Sequence, residues 1–148
     1  MKQIPLTKNQ FALVDDEDFD FLNQWKWYYT SHGYAAKDKL YMHRLIMNSP
    51  KNKFIDHADT NRLNNQRENL RLCDNRQNHM NGKKHRDNKS GFKGVVFIKD
   101  NYYTARIKAN GKIVYLGIYT SPIPAAMAYD AVAIKMFGKY ARCNFPET

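Results

Sequence analysis

The stretch from residue 54 to residue 82 most constrains the fold, because it is patterned as secondary structure yet holds few apolar residues. A short apolar strand ends in Asp56-His57, and a loop rich in turn-forming side chains follows. Residues 70–73 alternate as a second strand, and Asp74 is a good N-cap for a helix that runs to about Asn81. The order strand, loop, strand, helix has little core of its own, so it needs support from elsewhere in the chain.

The N-terminal part of the chain is suited to give that support. Its apolar and aromatic residues predict strands at 4–6 and 11–14, a helix at 16–24, and strands at 25–30 and 34–42. Through His57 it carries eight basic and seven acidic residues, so it is nearly neutral. We therefore expect a platform that packs against the polar stretch.

The C-terminal part predicts a small sheet covered by one helix. Residues 83–90 contain no apolar residue and are typical of an extended basic linker. The following pattern predicts strands at 94–99, 102–109 and 112–119, tight turns at Asp100-Asn101 and Asn110-Gly111, and a helix at 123–137. Three strands and one helix make the smallest sheet-plus-helix layer that can bury a core. With the short strands and helices of the N-terminal part, the whole chain is expected to be α+β.

The charge of the chain indicates a polyanionic partner. The formal net charge is +10, and residues 83–112 hold nine Lys or Arg against two Asp, so seven of the ten charges lie there. This distribution favours nucleic acid over a membrane surface. No apolar run approaches the roughly 18 residues of a membrane span, and the N-terminus lacks a signal-peptide core. A cytoplasmic protein without membrane contact is expected.

Four residues have a spacing that suits phosphodiester hydrolysis. Asn69 follows His57 by twelve positions, the length of a loop that returns to pair a second strand, and Asn78 lies nine positions further, in the helix. Asp56 and Asn78 would supply a charged and a neutral oxygen ligand to a divalent cation and leave positions for water and phosphate. His57, with an ordinary pKa of about 6.5, suits proton transfer from that water.

Asn69 is expected to hydrogen-bond across the loop and to fix the orientation of the His57 ring. The alternative is structural, because an isolated Asp-His pair is more often a surface turn and Asn-rich loops are usually solvated. That alternative loses weight when Asp56, His57, Asn69 and Asn78 are considered together with their flanking residues, which match a known family motif as described next. His43 has two open interpretations, since it either supports the site from behind or contacts a DNA phosphate.

Motifs over residues 40–81 resemble the HNH endonucleases of phage and intron homing elements. They are Tyr41-Met42-His43-Arg44, residues 55–65, residues 67–71 and Gln77-Asn78. The resemblance implies a ββα-metal finger in which Asp56 and Asn78 bind the metal, His57 is the general base and Asn69 orients it. It further implies Mg2+ (or Mn2+) as cofactor and double-stranded DNA as substrate. Many relatives have histidine where Asn78 stands, and the amide is found in the homing subgroup.

Residues 90–146 resemble the plant Apetala-two (ethylene-response-factor) DNA-binding domain, which also occurs fused to phage HNH nucleases. The matching segments are residues 91–95, 103–107, 115–117, 125–135, 137–138 and 144–146. That family lays its sheet into the major groove. Val96 and Ile98 stand where plant members carry arginine, so the plant target sequence does not carry over.

Strand alternation independently predicts which sheet face is available to DNA. In the middle strand Tyr103, Ala105, Ile107 and Ala109 would face the helix, and Tyr102, Thr104, Arg106 and Lys108 would face outward. In the third strand Val114 and Leu116 would point inward, and Ile113 and Tyr115 outward. The candidate DNA contacts are His43, Arg44, Lys83, Lys84, Arg86, Lys93, Arg106, Lys108 and Tyr115. An ordinary solvated sheet face is the alternative.

These observations predict a metal-dependent DNA endonuclease that nicks its substrate. The expected domains are an HNH nuclease domain at 1–82 with its ββα-metal core at 53–82, a basic linker at 83–90 and an Apetala-two-like domain at 91–148. One centre per chain favours a monomer, with a dimer as the alternative. The expected compartment is the cytoplasm of a bacterial or phage-infected cell. A non-catalytic DNA-binding regulator is the main competing function, and an RNA-binding or RNA-cutting protein is a weaker one.

Overall fold

The computed structural model describes residues 1–80 and 82–146 and divides the chain into two units, Met1–His79 and Met80–Thr148. The predicted helix end near Asn81 lies outside the described residues, as do the last two residues of the expected C-terminal domain. The protein is mixed α/β, with small sheets and few helices.

The first unit is built from short elements. In chain order they are β1 Lys2–Pro5, β2 Phe11–Val14, α1 Asp16–Asn23, β3 Tyr28–Tyr29, β4 Ala35–Lys37, β5 Leu40–Tyr41, α2 Met42–Met47, β6 Phe54–His57, β7 Leu70–Cys73 and α3 Asn75–Met80. β1 pairs with β2, β3 to β5 form a three-stranded sheet, and β6 pairs with β7, all antiparallel. The predicted order strand, loop, strand, helix over residues 54–80 is therefore present.

The single strand predicted over residues 34–42 is wrong. Asp38 and Lys39 adopt left-handed conformations with φ of 47° and 69°, so the chain reverses between β4 and β5. A helix then begins at Met42 and buries Met42 and Ile46, which are four positions apart and share one face. Local turn geometry and helical spacing thus outweigh the aromatic strand signal.

One hydrophobic core serves both the N-terminal elements and the β6–β7 pair. Ile4, Val14, Leu22 and Met42 lie in the same cluster as Ile55 of β6. The polar stretch thus shares the core of the N-terminal platform, which we define as residues 1–47. This confirms the predicted packing of the platform against that stretch.

The second unit contains β8 Val95–Phe97, β9 Tyr103–Ala109, β10 Lys112–Tyr119 and α4 Pro122–Phe137. The strands form an antiparallel sheet in the order β10-β9-β8, and α4 packs on it through Ala126 and Tyr129. Both predicted hairpin turns are present, with positive φ at Asp100-Asn101 and at Asn110-Gly111.

The faces of this sheet follow the prediction in β9 and depart from it in β10. Ala105 and Ile107 are buried, whereas Arg106 and Lys108 are exposed. Val114 pairs with Ile107 but remains 43% exposed, because β10 is an edge strand. A bulge between Tyr115 and Gly117 then shifts the register, so that Ile118 faces outward and is 68% exposed.

Within the described part of the chain, no helix has the length and apolar character that a membrane span requires.

Candidate active site

The loop between β6 and β7 is internally braced by Asp59. Its carboxylate accepts hydrogen bonds from the Asn61 backbone N–H at 2.8 Å, Asn64 Nδ2 at 2.8 Å and Asn69 Nδ2 at 3.0 Å. Partial burial alone would raise the pKa of Asp59, but these hydrogen bonds outweigh it and lower the pKa. Asn69 Oδ1 in return accepts from the Asp59 backbone N–H at 3.0 Å. The asparagines therefore form a fixed framework rather than a solvated turn.

The same loop is anchored on the platform. The Leu13 backbone N–H donates to the Leu63 carbonyl, and the Asn65 N–H donates to the Leu13 carbonyl, both at 2.8 Å. The Arg67 guanidinium makes two hydrogen bonds to Asp18 of α1, at 2.8 Å and 2.7 Å. From the sequence, the acids of α1 had no predicted role at this loop. In the structure one of them also holds the segment that leads into Asn69.

His57 is the last residue of β6 and is only 4% exposed. Its Nε2 lies 3.3 Å from Asn65 Oδ1. Because an amide oxygen can only accept, this contact suits the tautomer with the proton on Nε2. Burial lowers the pKa of His57, although the Asn65 hydrogen bond and the charges of Asp59 and Asp56 oppose that shift. The ring is therefore neutral at pH 7, the form in which an imidazole accepts a proton.

Asn65 is the asparagine that contacts the His57 ring, a role that was predicted from the sequence for Asn69. The side chain of Asn69 bonds across the loop as expected, but its described partners are Asp59 and the Asn64 carbonyl. Asn65 is 1% exposed and was not among the predicted site residues. The sequence around Asn65 gives little indication of this role, because the orientation of Asn65 depends on a backbone hydrogen bond to Leu13, which is distant in the chain.

Asp56 is paired with Arg71. The two residues face each other in the β6–β7 register, and Arg71 Nη2 donates to Asp56 Oδ2. Their side chains are 8% and 16% exposed, so the ion pair is largely shielded from solvent. Sequence reasoning missed Arg71, which compensates the charge of the predicted metal ligand.

Asn78 lies on α3, directly after β7. Gln77 donates its backbone N–H to Asp74 Oδ1 at 2.8 Å, and the Asp74 N–H donates to Gln77 Oε1 at 3.0 Å. This reciprocal capping box confirms Asp74 as the predicted helix cap. Asn78 is partly buried. Among the residues that the structure describes, no three His, Cys, Asp or Glu side chains cluster as metal ligands, so a cation here would depend on Asp56 and on amide oxygens.

His43 lies behind His57 in an aromatic cluster. Its ring stacks on Tyr41 with centroids 5.5 Å apart and meets His57 edge-on at 5.2 Å. Burial lowers the pKa of His43 to about 3, assisted by the charges of His57 and Arg44. His43 is 7% exposed and neutral, which weighs against the predicted DNA contact. Of its two interpretations, the structure favours support of His57 from within the fold.

Comparison with known proteins identifies the family. Residues 41–80 match the HNH endonuclease family model. An uncharacterized HNH endonuclease of Acanthamoeba polyphaga mimivirus is 32% identical over 146 residues, which cover 93% of this chain and 76% of the viral protein.

The chain belongs to the HNH endonuclease family. HNH nucleases generally use divalent metal ions, and the substrate class is nucleic acid. A shorter match links this HNH nuclease to Dehydration-responsive element-binding protein 2E of Arabidopsis thaliana. Those two proteins are 46% identical over 39 residues, which are 26% of this chain and 16% of the plant protein.

Other predicted DNA contacts of the HNH nuclease are accessible to different degrees. Lys83, Lys84 and Arg86 are exposed, although Lys84 Nζ donates to the Gly91 carbonyl at 2.7 Å. Arg44 is partly buried, and its Nη2 donates to the Lys53 carbonyl at 3.1 Å.

On the sheet of the second unit, Arg106 and Tyr115 are cross-strand neighbours on the outer face, beside exposed Lys108. Lys93 departs from that expected face. Its Nζ donates to the Met80 carbonyl at 2.7 Å, and burial lowers the pKa of Lys93 to about 8, with the charge of Arg142 adding to the effect. The ammonium of Lys93 is therefore engaged inside the second unit.

Proposed function

We propose that this nuclease is a metal-dependent DNA endonuclease in which residues 53–82 form a ββα-metal finger and His57 is the general base. The observation that carries the proposal is the state of His57. Its ring is buried with a lowered pKa, and its Nε2 lies 3.3 Å from Asn65 Oδ1, a contact that would keep the proton on Nε2 and make Nδ1 the accepting nitrogen. Asp56, its neighbour in β6, supplies a carboxylate at the same strand end.

The oxygen donors of the site fit a hard divalent cation. Asp56 and Asn78 would hold Mg2+ (or Mn2+), which prefers carboxylate and amide oxygens and keeps several waters. When bound, such an ion polarises the phosphate and stabilises the leaving oxygen. Arg71 forms an ion pair with Asp56, so a cation held by Asp56 would compete with this guanidinium for the carboxylate.

The chain's own residues then account for the proton movement. Nδ1 of His57 would take a proton from the attacking water as the new oxygen–phosphorus bond forms and the phosphorus–oxygen bond to the leaving nucleotide breaks. The leaving oxygen would then take a proton from solvent. Asn65 keeps the ring in one orientation, while His43 and the other aromatic rings of the cluster restrict its movement. Asn69 acts one step further away, because it holds the loop in place through Asp59.

The C-terminal residues 91–148 would form an Apetala-two-like domain that positions the nuclease domain, residues 1–82, on duplex DNA. The exposed Arg106, Lys108 and Tyr115 support this proposal, as does the short match to the plant element-binding protein. Basic side chains of the linker at 83–90 would add phosphate contacts. Binding dominated by such contacts falls steeply with salt.

With one centre per chain, the expected product of a monomer is a nick. The test is relaxation of supercoiled plasmid in Mg2+ or Mn2+, beside duplex binding measured by fluorescence anisotropy. His57→Ala should abolish nicking and leave DNA affinity nearly unchanged, whereas a control variant at exposed Lys26, Lys26→Ala, should nick normally. Absence of cleavage by the wild type on every DNA tested, including its own genomic neighbourhood, would favour the non-catalytic regulator.

A further inference from the structure

Arg62 is an exposed cation that two contacts hold in a defined position. Its Nη1 donates to the His32 carbonyl at 2.6 Å, and its guanidinium carbon lies 4.9 Å from the centroid of the Tyr34 ring. Both partners lie in or beside the turn before β4, and His32 is thirty positions from Arg62 in the chain. The hydrogen bond to His32 is directional and the contact with Tyr34 lies over the ring face, so together they restrict the guanidinium.

The Tyr34 ring contacts Arg62 and also packs against the rings of His57 and His43. Its ring centroid lies 6.0 Å from that of His57 and 5.2 Å from that of His43. Arg62 and the proposed base therefore both contact the side chain of Tyr34.

The environment of Arg62 differs from that of the two neighbouring arginines on the same hairpin. Arg67 pairs with Asp18 and Arg71 pairs with Asp56, so both are neutralised within the protein. Within the described residues Arg62 has no acidic partner, and its Nη2 and Nε donate to no described acceptor. Restricting a long exposed side chain costs conformational entropy, and here no ion pair offsets that cost. An immobilised, uncompensated guanidinium beside a proposed nuclease base suits an external anion.

We propose that Arg62 binds a non-bridging oxygen of the DNA phosphate that His57 acts upon. The proposal rests on the proposed role of His57. Guanidinium presents two parallel N–H donors that match phosphate oxygens, and Nη2 and Nε are the pair available here. Negative charge on that phosphate increases as water attacks, so Arg62 should stabilise the transition state more than bound DNA. Arg62 is thus assigned as a catalytic residue and Tyr34 as the residue that positions it.

The test compares Arg62→Met and Arg62→Lys with Lys26→Met, which removes one exposed positive charge from the same unit. Single-turnover nicking is measured at saturating protein, and duplex affinity is measured by fluorescence anisotropy in EDTA. Arg62→Met should slow nicking about a hundredfold, in the range found for loss of one transition-state donor, and weaken DNA binding by less than about tenfold. Arg62→Lys keeps the charge without the paired donors and should be intermediate. Lys26→Met should match the wild type.

A second variant separates position from charge. Tyr34→Leu leaves Arg62 in place but removes the ring beneath it, so it should reduce the nicking rate with little effect on affinity. The double variant Tyr34→Leu/Arg62→Met should lose less than the two single effects combined, because the Tyr34–Arg62 contact is removed in both single variants. Any loss beyond that of Arg62→Met measures the packing of Tyr34 on His57. Thermal unfolding of each variant verifies that the unit is folded.

The outcomes distinguish this proposal from the one it rests on. If the wild type does not cleave DNA, or His57→Ala cleaves normally, the proposed function itself fails. If the wild type cleaves and His57→Ala does not, but Arg62→Met nicks at the Lys26→Met rate, the Arg62 assignment alone is overturned. That assignment is equally overturned if Arg62→Met weakens binding without slowing the single-turnover step.

Discussion

Nε2 of His57 and Oδ1 of Asn65 lie 3.3 Å apart, and both side chains are almost completely buried. The backbone of Asn65 is in turn bonded to Leu13 in the platform. The orientation of the imidazole is therefore set by a loop residue that is itself fixed by the N-terminal hairpin.

Asn65→Leu should reduce the nicking rate about ten- to a hundredfold while duplex affinity stays within about twofold, because the ring loses its orienting acceptor but DNA contacts remain. Asn69→Ala should behave differently. It removes the brace to Asp59 and should lower the free energy of unfolding by about 1 to 3 kcal/mol. Nicking assays and urea unfolding of both variants check this, and a larger catalytic loss in folded Asn69→Ala than in Asn65→Leu would reverse the two assignments.

Arg71→Met should destabilise the protein in EDTA by about 3 to 5 kcal/mol, because it removes the guanidinium that pairs with the buried Asp56 carboxylate. Mn2+ should raise the melting temperature of Arg71→Met more than that of the wild type, since the ion no longer competes with a guanidinium. Asp56→Asn/Arg71→Met serves as the control and should recover stability without a Mn2+ response. Equal Mn2+ shifts in all three proteins would argue against Asp56 as a metal ligand.

Acid should destabilise the fold through His43. Its pKa is about 3 in the folded state and about 6.5 in the unfolded chain, so below pH 6.5 the unfolded state binds the extra proton. Stability should fall as the pH drops from 6.5 toward 3, with a slope that approaches about 1.4 kcal/mol per pH unit from this group. His57, whose pKa is also lowered, adds in the same direction. Urea unfolding across this range should show a shallower dependence in His43→Phe, and an unchanged slope would contradict buried neutral His43.

Gly94→Ala should disrupt the second unit much more than Gly91→Ala. Both glycines have positive φ, 76° and 82°, but a Cβ at Gly94 would lie 1.9 Å from Cδ2 of Tyr129, whereas a Cβ at Gly91 has open space. Backbone strain is common to both variants, and overpacking adds about 1 to 3 kcal/mol or more at Gly94 alone. Thermal unfolding measures the difference. Similar losses in the two variants would mean that the Tyr129 ring moves aside easily.

Arg106→Gln and Lys108→Gln should each reduce the slope of log affinity against log salt by about 1, because each would remove one proposed phosphate contact from the outer sheet face. Lys135→Gln on α4 removes an equal exposed charge away from that face and should leave the slope unchanged. Anisotropy titrations over a salt series give the slopes. Equal effects of all three substitutions would indicate general charge attraction rather than a sheet-face interface.

Locally encoded features were predictable from the sequence, and those that depend on distant contacts were not. The Asp100-Asn101 and Asn110-Gly111 turns and the Asp74 cap are specified by neighbouring residues, and all three are present. The burial of His43 and the orientation of Asn65 depend on packing across the unit, so no local pattern indicates them.

Arg71 is an intermediate case. Once His57 and Leu70 close the β6–β7 pair, the antiparallel register places Arg71 opposite Asp56. The pairing of Arg71 with Asp56 was therefore predictable from the register of the two predicted strands.

The anchors of the β6–β7 loop lie outside the family motif. The motif begins at residue 41, whereas Leu13 and Asp18 precede it, and Asp18 is 49 positions from its partner Arg67. Such contacts form only after a long intervening segment has closed, so the catalytic loop should acquire its native shape late in folding. A fragment limited to residues 41–80 would carry the proposed metal ligands and the proposed base without the hairpin that anchors their loop. We therefore expect catalytic competence to require the assembled first unit and not the motif alone.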